Sequence, residues 1–409
     1  MIRALLSLAF AMALLTGCVS ETVKSTSVPV LDAPTALAPD DELLDVGVVI
    51  FDPGISTLED EEQVYPEVRK AEATFMATEL AEVLTEQGGW GAVRVVPDDR
   101  QFSDLLVRGT ILHSDGEALE LKILVSDARG TRWLDKRYQG ITSRYAYEQG
   151  TRVKQDPFLA VYRMIANDML AIFNKVPAKD RVTIRRVAEM RFARDFASGA
   201  FADYLEEDDA GNVSLRRLPA EDDPMLNRVR GLRQRHYVFV DTLQGHYSGF
   251  AEDMYVPYQE WREASYEETV AMRELQADAR RDMIAGGAAI IAGVLVQNSG
   301  SRATRTAGTI AGIGGGGVLL KKGLQKRAEA GIHSLALEEL GRSLEADVTP
   351  RVIELEDRTV RLTGNVEDQY DQWRELLADI YAAELAALEP PTTEASAANP
   401  PATTDTQDS

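Results

Sequence analysis

The stretch "LELKILVSDARGTRWLDKRY", Leu119–Tyr138, decides the fold of the first half of the chain. Its first part alternates, with apolar side chains on one side and Glu120, Lys122 and Ser126 on the other, which is the pattern of a half-buried strand. "DARG", Asp127–Gly130, is typical of a hairpin turn, and "TRWLDKRY" reads as the returning strand. The stretch therefore predicts an antiparallel hairpin.

The segments on either side extend this hairpin into a layered domain. "LLDVGVVIFD" (residues 43–52), "WGAVRVV" (90–96) and "DLLVRGTIL" (104–112) are short, β-branched apolar runs typical of strands. We expect one helix from Pro66 to the stop at Gly88-Gly89, and another after the cap at Asp156-Pro157. The order strand, helix, four strands, helix predicts a two-layer α/β sandwich over residues 43–176.

This order of elements, with the phrases "DLLVRGTIL" and "ILVSDARGTRWLDKRY", resembles a domain of bacterial envelope proteins. It is the anticodon-binding-like domain found at the amino terminus of TolB, in the curli-secretion lipoprotein CsgG and in the exopolysaccharide lipoprotein PelC. The resemblance implies a periplasmic interaction or oligomerisation module and supplies no catalytic residues.

The amino terminus indicates where the protein is sent. A basic start and an apolar run, Ala4 to Leu15, form a secretory signal peptide over residues 1–17. The string Leu15-Thr16-Gly17-Cys18 resembles the lipobox of bacterial lipoproteins, which implies acylation of Cys18 by membrane lipid. Val19 in place of an aspartate implies the outer membrane, with the protein facing the periplasm. Residues 18–42 are expected to be the lipidated terminus and an extended tether.

Residues 177–345 are predicted to be mainly helical. One amphipathic helix is expected from Lys179 to Leu205, followed by a break at residues 206–224 and a long helix from Tyr258 to Val296. The first helix is rich in arginines, namely Arg181, Arg185, Arg186, Arg191 and Arg194. Two interpretations are open, because these arginines could meet anionic lipid headgroups or peptidoglycan, or could pair with the protein's own acids.

A helical hairpin rich in small residues is predicted over residues 283–320. Small residues recur every fourth position in both of its apolar runs, at Ala285, Ala289, Gly293, Gly308, Gly312 and Gly316. This glycine-zipper spacing lets two helix backbones approach closely. The hairpin could pack within a helical domain, contact a second protomer, or dip into a bilayer, although each run is only about 21 Å long against roughly 30 Å of hydrocarbon.

No motif for chemistry stands out. The glycine run at residues 312–317 matches G-x-G-x-x-G, but no strand precedes it and no nucleotide-binding unit surrounds it. The four histidines lack the spacing of a helical zinc site. A net charge of −22 argues against a nucleic-acid partner. We therefore expect no catalytic, cofactor or metal site, and a protein that is not an enzyme.

The carboxyl-terminal part is expected to hold one small folded unit. Residues 346–388 predict a β-hairpin that turns at Glu356-Asp357, followed by a helix, and residues 389–409 are a low-complexity tail. The chain is thus predicted to be an α+β protein. It is expected to act as a lipid-anchored envelope scaffold or assembly factor, with an envelope protein or a second copy of itself as partner. The alternative is a subunit of an oligomeric export or membrane-permeabilising assembly that uses the glycine-zipper hairpin.

Overall fold

The computed structural model describes residues 20–24, 28–36, 38–55, 66–100, 103–147, 156–220, 222–296, 351–354, 359–363 and 365–386. The α+β class predicted from the sequence is confirmed within these residues. A mixed sheet with helices packed against it comes first, then a helical region, then a short strand pair and a helix.

A mixed sheet of six strands forms the first part, in the spatial order β1-β6-β5-β4-β2-β3. The strands are β1 (Ser20–Lys24), β2 (Val46–Val49), β3 (Val93–Val96), β4 (Leu105–Ser114), β5 (Ala118–Asp127) and β6 (Arg132–Ile141). β2 pairs in parallel with β3 and β4, whereas β4, β5 and β6 form an antiparallel meander. The turn between β4 and β5 and the turn between β5 and β6 therefore lie at opposite ends of the sheet.

Two helices, α1 (Pro66–Gln87) and α2 (Leu159–Phe173), pack against the sheet. Leu119, Leu121, Ile123 and Val125 of β5 are each fully buried, as their alternation predicts. Gly88 and Gly89 end α1 with φ of 70° and 80°, a left-handed conformation that favours glycine. The strands and helices predicted within residues 43–176 are thus confirmed.

The segment predicted to be a tether differs from that expectation. Ser20–Lys24 forms β1 and pairs in parallel with Arg137–Ile141 at the edge of the sheet. The backbone carbonyls of Pro29 and Val30 accept hydrogen bonds from Arg163 and Asn167 of α2. Ser20–Lys24 contains one apolar residue, Val23, and so shows no apolar alternation, which is why the sequence pattern predicts a spacer instead.

The helical region begins with α3 (Ala178–Phe196) and the four-residue helix α4 (Ser198–Phe201). The first helix predicted here thus ends nine residues before Leu205. The predicted break contains a small hairpin of β7 (Leu205–Glu207) and β8 (Val213–Leu215). Asp208 forms its turn by accepting backbone N–H groups of Ala210 and Asn212, a local interaction that the hydrophobic pattern does not reveal.

The helix α5 (Pro224–Val296) has 73 residues and begins 34 residues before the predicted start at Tyr258. Asp223 caps it, since its Oδ1 accepts the N–H groups of Met225 and Leu226 at 2.8 and 3.2 Å. Pro224 occupies the first helical position, where its missing N–H costs nothing. The aromatic segment that follows is helical, with a buried face at His236, Phe239, Val240, Leu243, Tyr247 and Phe250.

The carboxyl-terminal unit consists of β9 (Arg351–Glu354), β10 (Thr359–Leu362) and α6 (Val366–Ala386). The strand pair and the helix are confirmed, while the predicted turn at Glu356-Asp357 lies outside the described residues. Trp373 of α6 stacks on Phe239 of α5 with ring centroids 4.9 Å apart, and both rings are buried. This unit is therefore packed onto the helical region.

Candidate functional site

The residues predicted to carry the function lie largely outside the described part of the chain. Cys18, Gly308, Gly312 and Gly316 fall in this category, as does the second run of the 283–320 hairpin. Ala285, Ala289 and Gly293 lie on the last turns of the α5 backbone, where the spacing of four places them along one side of the helix. The described structure thus shows how this helix is held by the rest of the protein.

α5 passes close to the turn between β4 and β5. Ser265 Oγ accepts the N–H of Gly116 at 3.2 Å, and a Cβ atom at Gly116 would collide with the backbone of Arg262 and Tyr266. Tyr147 donates its hydroxyl to the carbonyl of Gly116 at 2.6 Å and packs against Tyr266. Glycine is required here because the helix backbone occupies the space of a side chain.

A buried ion pair lies under this contact. Arg262 of α5 is fully buried, and its NH1 donates to Asp156 Oδ2 at 2.6 Å. The guanidinium carbon lies 3.8 Å from the ring centroid of Tyr258 and 4.8 Å from that of Phe158. Asp156 Oδ1 also accepts the N–H of Phe158 at the start of α2. One carboxylate therefore joins the start of α2 to the middle of α5.

A second buried carboxylate, Glu72 of α1, joins the same helix to the sheet. Its Oε1 accepts the hydroxyl of Tyr258 at 2.6 Å and that of Ser114 at 2.7 Å. Arg69 lies beside it, with Nε 3.5 Å from Glu72 Oε2. Burial raises the pKa of Tyr258 well above its usual value, which keeps this hydroxyl a hydrogen-bond donor.

Glu79 of α1 lies close to the Arg262–Asp156 pair. Burial, together with the charges of Asp156 and Glu82, raises its pKa to about 8, while the charge of Arg262 acts in the opposite direction. Glu79 is therefore largely protonated at neutral pH, which reduces the repulsion between carboxylates around Asp156. We call the set Glu72, Glu79, Asp156, Tyr258 and Arg262 the helix lock.

The opposite end of the sheet contacts the beginning of α5 through another buried acid, Asp104. Burial raises its pKa to about 6 against the opposing charges of Arg233 and Arg185, which lie 4.0 and 3.8 Å away. Asp104 Oδ2 accepts the N–H of Asp45 at 2.9 Å. Further along α5, Asp241 pairs with Arg94 of β3. Helix α5 is thus bound to the sheet from the amino end of β4 to its carboxyl end.

A polar cleft of about 390 Å³ lies at the amino end of β4, on the side of the sheet facing α3 and α6. Four arginines line it, and we call it the arginine cleft. They come from separate segments of the chain and are Arg100, Arg108, Arg191 and Arg374. Asp99, Asp127 and Asp195 also line it, so the cleft is rich in both charges.

His236 is the most buried of the described histidines, lying between the rings of Phe192 and Tyr370. Burial, together with the positive charges of Arg374, Arg233 and Arg94, lowers its pKa to about 3, so it is neutral at physiological pH. Across the described ranges, no group of three histidine, cysteine, aspartate or glutamate side chains is placed to hold a metal ion. The described helices also contain no apolar stretch long enough to cross a bilayer.

Comparison of the chain with protein-family models, with curated proteins and with solved structures finds no match in any of the three. The resemblance to the anticodon-binding-like envelope domain therefore stays a prediction.

Sequence reasoning identified Asp156 only as a helix cap and did not identify Glu72, Glu79, Arg262 or the arginine cleft. One signal was present, because Arg262 lies four residues after Tyr258 and one after Trp261, on the side of α5 that is buried. An arginine among aromatic residues on an apolar face indicates a buried partner. The partner itself lies 106 residues away in the chain and has no local signature.

Proposed function

We propose that the protein is a non-enzymatic scaffold or assembly factor of the bacterial outer membrane. It is anchored by lipid on Cys18 and faces the periplasm. In this proposal, the α/β module stays close to the anchor. Helix α5 carries the glycine-zipper segment to an envelope protein or to a second copy of the chain.

The observation that carries the proposal is the length of α5 beyond the turn between β4 and β5. Tyr266 of α5 lies against Gly116 in this turn, and the helix continues for about 30 residues to Val296. At 1.5 Å per residue this is roughly 45 Å of additional helix. A helix that is bound to the module along its first half and continues beyond it is suited to hold a binding segment at a distance.

The direction of β1 supports the same arrangement. Ser20 pairs with Arg137 and Lys24 with Ile141, so β1 runs from the side of the β5–β6 turn toward the β4–β5 turn. Cys18 is two residues before Ser20 and is thus within about 7 Å of it along the chain. The anchor therefore enters from one end of the sheet, whereas α5 passes the other end at Gly116. Because β1 begins at one end of the sheet and α5 passes the other end, α5 is expected to extend away from the membrane that holds the lipid anchor.

The anchor is tested by replacing Cys18 with alanine in the full chain and separating the cell fractions. We expect the wild-type chain and a Ser20→Ala control in the outer membrane, and the Cys18→Ala chain outside it. Mass spectrometry of the wild-type amino terminus should show a diacylglycerol thioether on Cys18. An unmodified Cys18, or a Cys18→Ala chain that still fractionates with the outer membrane, would contradict the proposal.

The partner is tested by crosslinking in intact cells. A photoreactive residue in place of Met283, on the extended part of α5, should capture a second protein or a second copy of the chain, whereas one in place of Arg132 should not give the same product. Oligomers that release the contents of vesicles would instead support the alternative, a subunit of an export or membrane-permeabilising assembly.

A further inference from the structure

The arginines of α3 differ in how they are neutralised. Arg181 pairs with Glu42, Arg185 lies 3.8 Å from Asp104, and Arg194 lies 3.4 Å from Glu207. For these residues, pairing with the protein's own acids explains the basic composition of the helix. Arg191 lacks such a pair, since no described carboxylate comes within 4.0 Å of its guanidinium.

One hydrogen bond holds the guanidinium of Arg191 in the arginine cleft, and one of its N–H donors has no hydrogen-bond partner. Its NH1 donates to the carbonyl of Ala128 at 2.9 Å, which fixes the guanidinium against the β5–β6 turn. Its Nε is buried and has no hydrogen-bond partner. Burial lowers the pKa of Arg191, the positive charges of Arg194 and Arg108 also lower it, and the negative charge of Glu207 raises it. The guanidinium nevertheless remains charged, because arginine does not deprotonate in proteins.

The neighbours of Arg191 are suited to an oxyanion. Arg108 donates through NH1 to Ser126 Oγ at 3.2 Å, and through Nε and NH2 to Asp99 Oδ2 at 3.4 and 3.3 Å. Ser126 thereby keeps its own hydroxyl hydrogen for donation. Arg374 approaches from α6 and is paired with Asp195 at 2.8 Å. Planar guanidinium groups bind phosphate oxygens by paired, charge-assisted hydrogen bonds, and a cleft of about 390 Å³ can admit such a group.

The cleft lies at the end of the sheet where β1 begins. Asp127, Ala128 and Gly130 of the β5–β6 turn line it. Ser20, the first residue of β1, pairs with Arg137, five residues after the first residue of β6, and β1 runs away from this turn. Cys18 precedes Ser20 by two residues, so the covalent chain keeps it within about 7 Å of Ser20.

We infer that the arginine cleft, centred on Arg191, binds the phosphate headgroup of a lipid in the membrane that holds the anchor. The inference rests on the proposed acylation of Cys18 for the identity of the membrane. Headgroup binding orients the module on the bilayer and leaves α5 directed away from it. An acyl chain alone fixes one point and leaves the module free to rotate.

The test uses the chain from Val19 to Ser409, which keeps every described residue and has no lipid of its own. Its partition onto phosphatidylcholine vesicles is compared with that onto vesicles containing phosphatidic acid, which presents a phosphate monoester. We expect binding to the second kind only, and Arg191→Gln should weaken it roughly tenfold, the loss of one charge-assisted interaction. Arg132→Gln is the matched control, because Arg132 is exposed at the same end of the sheet and pairs only with Asp135 among described residues.

The outcomes separate cleft binding from general attraction. An equal loss in both variants would overturn the inference, since each removes one positive charge. Thermal stabilisation by inorganic phosphate without vesicle binding would assign the cleft to a free ion and overturn the headgroup assignment. Failure here with a lipidated Cys18 in cells refutes the cleft alone, whereas an unmodified Cys18 refutes the proposed function whatever the vesicles show.

Discussion

Replacing Arg262 with methionine tests whether the helix lock fixes α5 to the module. Methionine keeps most of the side-chain volume between the rings of Tyr258 and Phe158 but removes the charge that neutralises Asp156. Removing one partner of a buried ion pair leaves the other charge uncompensated and costs about 3–5 kcal/mol. Because a typical domain has about 5–15 kcal/mol of stability, this is a large fraction of the total.

The assay is urea denaturation followed by circular dichroism, together with limited proteolysis of α5 under native conditions. We expect a lower unfolding midpoint and faster cleavage in α5 between Tyr258 and Tyr266. Arg235→Met is the control on the same helix, where the pair with Glu384 is solvent-exposed and is worth about 1 kcal/mol or less. The Asp156→Asn change made together with Arg262→Met should cost less than the sum of the single changes, since the two groups are in direct contact. A loss below about 1 kcal/mol in Arg262→Met, with unchanged proteolysis, would show that the lock does not hold the helix.

Three further changes test other parts of the structure. Glu79 has a pKa raised from 4.5 to about 8 by burial, so its contribution to stability is fully present below pH 4.5 and is lost as pH rises through about 8. Glu79→Gln should therefore stabilise the protein at pH 8 but not at pH 5. A pH-independent difference in denaturation midpoint would contradict this. Gly116→Ala should force α5 away from the β4–β5 turn, because the added Cβ meets helix backbone. Hydrogen exchange of the Ser265 and Tyr266 amides should then be faster. Gly199→Ala is the control and should leave this exchange unchanged, because its added Cβ meets open space. Trp373→Ala should cost about 3–5 kcal/mol by opening a cavity against Phe239, measured as a lower denaturation midpoint, and a loss under about 1 kcal/mol would mean that α6 is not packed there.

The local elements of the first domain could be predicted because each one shows its own pattern. The four fully buried apolar residues of β5 occupy every second position, with Glu120 and Lys122 between the first three, and the glycines after α1 mark its end by their backbone conformation. Such signals lie within ten or twenty consecutive residues. Reading the sequence in windows of that size is enough to find them.

The site could not be predicted in the same way, because its interactions join distant parts of the chain. Arg262 meets Asp156, and Tyr258 meets Glu72 across 186 residues. The start of α5 was missed because aromatic and charged residues alternate through its first turns and obscure the 3.6-residue period. β1 was missed because its pairing partner, not its own sequence, makes it a strand.

The proposed scaffold keeps the α/β module at the anchoring membrane and directs α5 away from it. The most direct test of this arrangement is the distance of α5 from the membrane that holds the anchor. Cys18 is the only cysteine of the chain, and acylation blocks its thiol, so Met283→Cys and Arg132→Cys each introduce one site for a fluorescent donor. Energy transfer to acceptor lipids is measured with the acylated protein in vesicles. The arrangement predicts strong transfer from residue 132 and weak transfer from residue 283, which lies 17 residues, or roughly 25 Å of helix, beyond Tyr266. Equal or stronger transfer from residue 283 would mean that α5 returns to the anchoring membrane, and would contradict the proposed scaffold.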